Sequence, residues 1–198
     1  MNKLALMVLA ALLLGATPIG AAEARLVPTP RASLMPASPT NRPFLAADRA
    51  LAPVALVARG YVETEHSVSG FANVYDWAPG GEVTVRAAAV PYTTRILVRR
   101  PADAAKSSGR VIVELLNPTG QYDFAPLWGF SAEHFLRRGD AWVGVTVKPV
   151  AAAPLRRFDA VRYERLSFAW KRDGACAAAA SAGEQTDASL QDSENGLA

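Results

Sequence analysis

The sequence is poor in the residues that build disulfide frameworks and metal centres. Among 198 residues it has one cysteine, Cys176, and two histidines, His66 and His134. A single cysteine cannot form an internal disulfide, so it is either a free thiol or paired outside this chain. Two isolated histidines and a distant cysteine show no metal-ligand spacing. We therefore predict no metal and no other cofactor, and interpret both histidines as solvent-facing or hydrogen-bonded structural residues.

The sequence also lacks a nucleophile motif and a cluster of like charges. No G-x-S-x-G motif, which places a catalytic serine on a strand-to-helix elbow, occurs in the sequence. The nearest approach, GFSAE at 129–133, lacks the second glycine and follows a loop, so we interpret Ser131 as a helix cap rather than a nucleophile. The net charge is +3 with scattered basic residues, which argues against a nucleic-acid partner.

The N-terminus has the pattern of a secretory signal. Lys3 supplies the positive charge, LALMVLAALLLG supplies a short apolar run, and small residues allow cleavage after Ala22 or Ala24. An uncleaved anchor is the alternative, although the run is short for a bilayer. Residues 1–24 therefore predict export to the periplasm or the extracellular space, without stable membrane insertion of the mature chain.

Composition divides the remainder of the chain into three parts. Residues 25–43 form a Pro-, Ser- and Ala-rich lead-in, predicted to be extended or mobile. With 51% apolar residues, the chain can bury a core, and we place the folded domain at 44–170. Residues 171–198 lack an apolar period and are predicted to be a poorly ordered tail.

The first part of the domain has the alternation typical of β-hairpins. Residues 56–77 alternate in part and contain Ser69-Gly70, which we interpret as a turn. Residues 79–81, Pro-Gly-Gly, predict a second turn. The segment PYTTRILVRRP predicts a strand between two prolines, with Arg95, Leu97 and Arg99 on one face.

A β-α-β unit follows these hairpins. Val111–Leu116 and Ala141–Val147 are apolar at successive positions, as strands covered on both faces by helices are. Between them an apolar period predicts a helix near 131–138 that ends at Gly139. The unit predicts two parallel strands. Glu114 is the exception in its strand: we expect its carboxylate to pair with an arginine of a neighbouring strand, and a catalytic role is the alternative.

The loops after these two strands are the candidate site. Catalytic groups collect at the carboxyl ends of parallel strands, which here are residues 117–123 and 148–150. Asn117, Thr119 and Gly120 combine backbone N–H groups with a sharp turn, which is the arrangement that stabilises a developing oxyanion. By composition alone, a plain β-α connection explains the same residues.

Five segments in this order resemble the N-terminal part of exported bacterial α/β-hydrolase domain proteins. They are GYVETEHSVSGFANVYDW, VPYTTRILVRRPAD, VIVELLNPTGQYD, WGFSAEHFLRRGDAWVGVTVKPV and RFDAVRYERLSFAW. The resemblance implies an α/β fold, with leading hairpins before a partly parallel sheet, and esterase-like hydrolysis of a small-molecule ester. In that fold the loop beginning here at Asn117 donates to the oxyanion, although NPTG differs from the His-Gly-Gly-Gly type of loop.

The missing nucleophile elbow gives two interpretations of function. In the first, the chain is the front portion of a hydrolase, because SENGLA at its end resembles the start of an unfinished helix and the elbow follows that helix in the family. In the second, it is a small exported β-rich module that binds a partner with its hairpins. The sequence predicts neither the ester nor an oligomeric state.

Overall fold

The computed structural model describes residues 26–50 and 52–168, which form a six-stranded mixed sheet with helices on one face. The strands are β1 (Arg31–Met35), β2 (Tyr61–Trp77), β3 (Val83–Pro101), β4 (Val111–Leu115), β5 (Ala141–Val145) and β6 (Ser167–Phe168). The helices are α1 (Pro126–Arg138) and α2 (Ala152–Phe158), with single 3-10 turns at Val57–Arg59, Ala104–Lys106 and Pro149–Ala151.

The order of the strands confirms the predicted parallel pair. The sheet runs β1-β2-β3-β5-β4, with β6 paired to β3, and β4 and β5 are parallel while the other neighbours are antiparallel. The predicted strand around Arg95–Arg99 lies in β3 of the same sheet. Helix α1 packs on this sheet through Trp128, whose ring centroid is 5.2 Å from that of Trp142 in β5.

The predicted turn at Ser69-Gly70 is wrong. Both residues lie inside β2, where they pair with Thr93 and Tyr92. The glycine serves close packing, because a Cβ at Gly70 would lie 3.1 Å from the hydroxyl of Tyr92. The second predicted turn is confirmed: residues 79–81 lie in the connection from β2 to β3, and β2 and β3 form one long hairpin.

The sheet begins earlier than the sequence predicts. Within the presumed lead-in, β1 pairs with β2 from Arg31↔Ser69 to Met35↔Glu65. Arg162 holds the end of this strand through its guanidinium, which donates to the carbonyls of Met35 and Pro36. The predicted signal at 1–24 and the whole predicted tail at 171–198, with Cys176, lie outside the described residues.

Helix α1 also begins earlier than predicted, at Pro126. Ser131 therefore lies in the second turn of the helix and is not its cap. Proline suits the first helical position because the N–H that it lacks would have no partner within the helix. The predicted end is confirmed: Gly139 has φ 73°, and a Cβ there would lie 2.1 Å from the carbonyl oxygen of Lys106.

The two faces of the sheet have different environments. On one face, side chains from β2, β3 and β5 and from the residue after β4 enter the core with α1, α2 and the segment around Phe44; they are Tyr61, Leu97, Trp142 and Leu116. On the other face, β4 exposes Val111, Val113 and Leu115 by 59%, 59% and 66%. The prediction that helices cover β4 on both faces is therefore wrong for the described residues.

Candidate functional site

The loop after β4 is a closed turn at the carboxyl end of the parallel pair. Asn117 and Phe124 exchange two backbone hydrogen bonds, of 2.8 and 3.0 Å, and so bring the two ends of the loop together. Leu116 N–H still donates to the carbonyl of Val145, which fixes the start of the loop against β5. The edge predicted to carry the site is therefore an ordered structure that the sheet positions.

The predicted oxyanion-side residues stabilise this loop from within. The side-chain oxygen of Asn117 accepts from Thr119 N–H at 2.8 Å and from its hydroxyl at 2.5 Å. The N–H groups of Asn117 and Thr119 thus donate inside the loop. At Gly120 a Cβ would lie 2.7 Å from the ring of Tyr122, so a side chain at this position would displace that ring.

Asp123 connects this loop to the neighbouring one. Its carboxylate is 1% exposed and accepts from Arg95 Nη2 at 2.9 Å and from the hydroxyl of Thr146 at 2.5 Å. Thr146 directly follows β5, and its hydroxyl also accepts from Arg95 Nε at 3.1 Å. One buried guanidinium therefore fixes the two loops at the carboxyl ends of β4 and β5 relative to each other.

Arg95 is the centre of a buried charge cluster. Its Nη1 donates to Glu65 Oε1 at 2.6 Å, and Glu65 also accepts from the hydroxyl of Tyr163 and from Arg162 Nε. Burial alone would lower the pKa of Arg95, but Tyr163, Glu65 and Asp123 outweigh it and the pKa is raised. The guanidinium stays charged, so the cluster is a permanent support rather than a titrating group.

A second buried arginine lies four positions further along β3. Arg99 lies against two indoles, with Cζ 4.3 Å from the ring centroid of Trp128 and 4.5 Å from that of Trp142. Its Nε donates to Glu63 Oε2 at 2.7 Å, and Nη2 donates to the carbonyl of Leu45 at 2.5 Å. The face of β3 that holds both arginines is thus the buried face of the sheet.

Glu114 corrects a prediction, because N–H groups and not an arginine are its hydrogen-bond partners in the described structure. Its carboxylate accepts from the amides of Leu127 and Trp128 at 2.8 and 3.0 Å, and from Trp142 Nε1 at 2.8 Å. The amides belong to the first turn of α1, where a negative charge stabilises the helix dipole. Glu114 thus caps this helix from the sheet; its charge reaches Arg99 only at longer range.

The two histidines take no part in this arrangement. His66 Nε2 lies 3.1 Å from the hydroxyl of Thr64 within β2, and exposed His134 on α1 contacts the edge of Phe135. Over residues 26–50 and 52–168 there is no cluster of histidine, cysteine and acidic side chains able to hold a metal ion. No helix in the same ranges is long and apolar enough to cross a bilayer.

The comparisons with known proteins agree with the parallel unit and its loops. A family model described as "Alpha/beta hydrolase domain" matches residues 26–196. The chain belongs to this family. The match to the hydrolase domain includes both the presumed lead-in and most of the presumed tail. No curated protein and no solved structure matches the chain.

The buried charges of this hydrolase domain were missed by sequence reasoning. The alternation of residues in β3 placed Arg95 and Arg99 on the same face of the strand, but it did not show that this face is buried. A usable pattern was present, since Glu63 and Glu65 in β2 are two residues apart and Arg95 and Arg99 in β3 are four apart, so that each pair lies on one face of its strand. Opposite charges on one face of adjacent strands predict buried ion pairs rather than a solvated face.

Proposed function

We propose that this domain is the front portion of an exported enzyme that hydrolyses small-molecule esters. The observation that carries the proposal is the match to the hydrolase family together with the parallel β4-α1-β5 unit, whose loops lie at one edge. Ligands of open α/β sheets bind at the carboxyl ends of the strands. The loop from Asn117 to Phe124 would contribute the oxyanion side of the site through backbone groups other than the N–H of Asn117 and of Thr119, which donate within the loop.

The residues of this chain would position the loops of the site and would not act as the nucleophile. Asp123 and Arg95 hold the loop after β4 against the loop after β5, which keeps its backbone fixed during a reaction. Ester hydrolysis also needs a serine activated by a base beside the oxyanion donors. Since the 198 residues contain no G-x-S-x-G motif, the proposal requires a nucleophile from sequence that follows Ala198.

An ester assay tests this proposal. The chain without its predicted leader should release p-nitrophenol from a short-chain p-nitrophenyl ester no faster than buffer, whereas a version extended through the following coding sequence should turn over. Ser131→Ala is the matched control, because this serine lies inside α1 and should not affect either protein. Turnover by the unextended chain that disappears in Ser131→Ala would contradict the proposal, as would an inactive extended protein.

One observation favours the alternative of a binding module. Beyond the strands that flank it, the β2-β3 hairpin continues as a two-stranded arm with exposed Tyr75 (55%) and Trp77 (72%). They pair across the arm with Val85 and Val83, which makes a cross-strand aromatic and aliphatic surface. Specific capture of one macromolecule that Trp77→Ser abolishes, with no esterase activity in the extended protein, would favour this function.

Export is part of the proposal, and the predicted leader supports it. Expressed with its leader in a Gram-negative host, the chain should lose 22 to 24 residues, as its cleavage positions predict, and be recovered from the periplasm. Intact-mass measurement of the periplasmic and cytoplasmic fractions checks this. A full-length chain restricted to the cytoplasm would contradict export but would leave the ester assay unaffected.

A further inference from the structure

Two buried arginines and two buried carboxylates form one connected cluster beside the candidate site. Glu65 and Asp123 are each 1% exposed, Arg95 is 0% exposed, and the side chain of Arg162 is 2% exposed. Arg95 donates to both carboxylates, to Glu65 Oε1 at 2.6 Å and to Asp123 Oδ2 at 2.9 Å. Arg162 donates from Nε to the other oxygen of Glu65, at 2.6 Å. These four side chains carry two positive and two negative charges.

Arg162 reaches Glu65 from a position that the N-terminal segment fixes. Its Nη1 donates to the carbonyl of Pro36 at 2.7 Å and to Asn41 Oδ1 at 2.6 Å, and its Nη2 donates to the carbonyl of Met35 at 3.2 Å. The planar guanidinium presents its donors in a rigid fork, so little freedom is lost when several acceptors hold it. Arg162 is therefore held in one orientation, with Nε directed at Glu65.

The two carboxylates compete for Arg95, and Arg162 limits this competition. A buried carboxylate oxygen without a donor is costly, so loss of Arg162 would leave Oε2 of Glu65 in need of a new donor. Arg95 would then be the one cation left for two carboxylates. Its movement toward Glu65 would weaken its bond to Asp123, whose other oxygen, Oδ1, has no hydrogen-bond partner among residues 26–50 and 52–168. Asp123 would then hold the loop after β4 less firmly.

We propose that Arg162 is a positioning residue of the candidate site, because its charge balances that of Glu65 and so keeps Arg95 bound to Asp123. Arg95 binds Asp123 and Thr146 together, and these two residues belong to the loops after β4 and β5. The catalytic use of these loops rests on the proposed function, whereas their order in the 198-residue chain does not. The effect of Arg162 is therefore measured on the loop after β4 itself.

Hydrogen exchange of backbone amides in the 198-residue chain reports on this loop. The N–H groups of Asn117 and Phe124 close the loop, and the N–H of Ala141 is an internal reference, because it donates to the carbonyl of Arg110 at the amino ends of β4 and β5. Arg162→Gln removes the charge. Exchange at Asn117 and Phe124 should then rise about tenfold relative to Ala141, as expected for the loss of one charge-assisted hydrogen bond.

Two further variants separate charge balance from packing. Arg162→Lys keeps the positive charge without the fork of donors, so it should raise the exchange at Asn117 and Phe124 by less than Arg162→Gln does. Adding Glu65→Gln to Arg162→Gln removes the unbalanced carboxylate, and the double variant should exchange within about twofold of the unsubstituted chain. Arg165→Gln is the matched control, because this side chain lies three residues away and is 84% exposed, and it should change neither amide.

The double variant decides the matter even if Arg162→Gln alone is too unstable to measure. A double variant that folds with a protected loop would support charge balance, whereas one that unfolds, or that exchanges as fast as Arg162→Gln, would overturn the proposal. An unchanged exchange ratio in Arg162→Gln, or a rise that is equal at Ala141, would also overturn it, as would Arg162→Lys exchanging as fast as Arg162→Gln. An inactive extended protein would refute ester hydrolysis and would leave these exchange ratios as they are.

Discussion

At the scale of single residues, this domain buries an unusual amount of charge. Arg95 and Arg99 are both fully buried on β3, and each forms an ion pair with a carboxylate of β2, Arg95 with Glu65 and Arg99 with Glu63. Removing one partner of such a pair leaves an uncompensated charge in the core and typically costs about 3 to 5 kcal/mol. A buried ion pair is weak evidence for stability, and the contribution of Arg95 here is to connect the loops after β4 and β5 through Asp123 and Thr146.

Asp140 allows a residue-scale test with a defined pH dependence. Burial would raise the pKa of this carboxyl, but the hydroxyl of Ser108 at 2.5 Å and the guanidinium of Arg110 at 3.2 Å outweigh it and lower the pKa. A group with a lowered folded-state pKa contributes fully above its unfolded value of about 3.9 and loses that contribution as the pH falls through the folded value.

Asp140→Asn should therefore lower the free energy of unfolding by about 1 to 3 kcal/mol at pH 7. The difference from the unsubstituted protein should shrink as the pH falls below about 4, where the carboxylate becomes protonated in both states. Urea denaturation at a series of pH values measures it. Asp48→Asn is the control, because this side chain is 68% exposed. A difference that grows on acidification would contradict the assignment.

At the scale of elements, sequence patterns predicted the β-α-β unit well and the boundaries around it poorly. Apolar runs and Gly139 identified β4, β5 and the end of α1, because burial and a left-handed glycine leave a local trace. The start of α1 left only Pro126 at the first helical position, which the sequence analysis did not use, because its capping carboxylate, Glu114, lies 12 residues earlier in the sequence. Ser69-Gly70 has turn composition, but Gly70 meets a packing requirement of Tyr92 that only the folded sheet reveals.

The cap of α1 gives a prediction at this scale. Glu114→Gln removes the negative charge that accepts from Leu127 and Trp128 N–H, so the first turn of α1 should open more often. Hydrogen exchange should rise at these two amides by more than at Phe135 and Leu136, and stability should fall by about 1 to 2 kcal/mol.

Glu133→Gln is the matched control for this change. Glu133 lies on the same helix and pairs only with Arg59 at the surface, so exchange in the first turn should be unaffected. Uniform exchange along α1 in Glu114→Gln would contradict a capping role and would favour a general loss of the core.

At the scale of the whole molecule, the described residues cover one face of the sheet and leave the other apolar. The uncovered rows run across β3, β5 and β4, and they consist of Ile96, Val98, Val111, Val113, Leu115, Val143 and Val145. Apolar runs in β4 and β5 predicted burial on both faces, as in parallel sheets generally. The sequence thus predicts burial of β4 and β5 on both faces, while the described residues cover only one of these faces.

The uncovered face leads to a prediction about the isolated 198-residue chain. A contiguous apolar surface of this kind binds hydrophobic dyes and promotes self-association, and β4 adds the unpaired backbone of an edge strand. We therefore expect dye fluorescence well above that of a typical folded protein and concentration-dependent association in sedimentation experiments.

The double variant Val113→Thr with Leu115→Thr should reduce both the dye fluorescence and the association, with little change in the midpoint of thermal unfolding, since both side chains are mostly exposed. Val161→Thr is the control, because it changes a still more exposed aliphatic side chain on another part of the surface and should change neither signal. A chain that stays monomeric and does not bind dye would show that residues outside the described ranges cover this face.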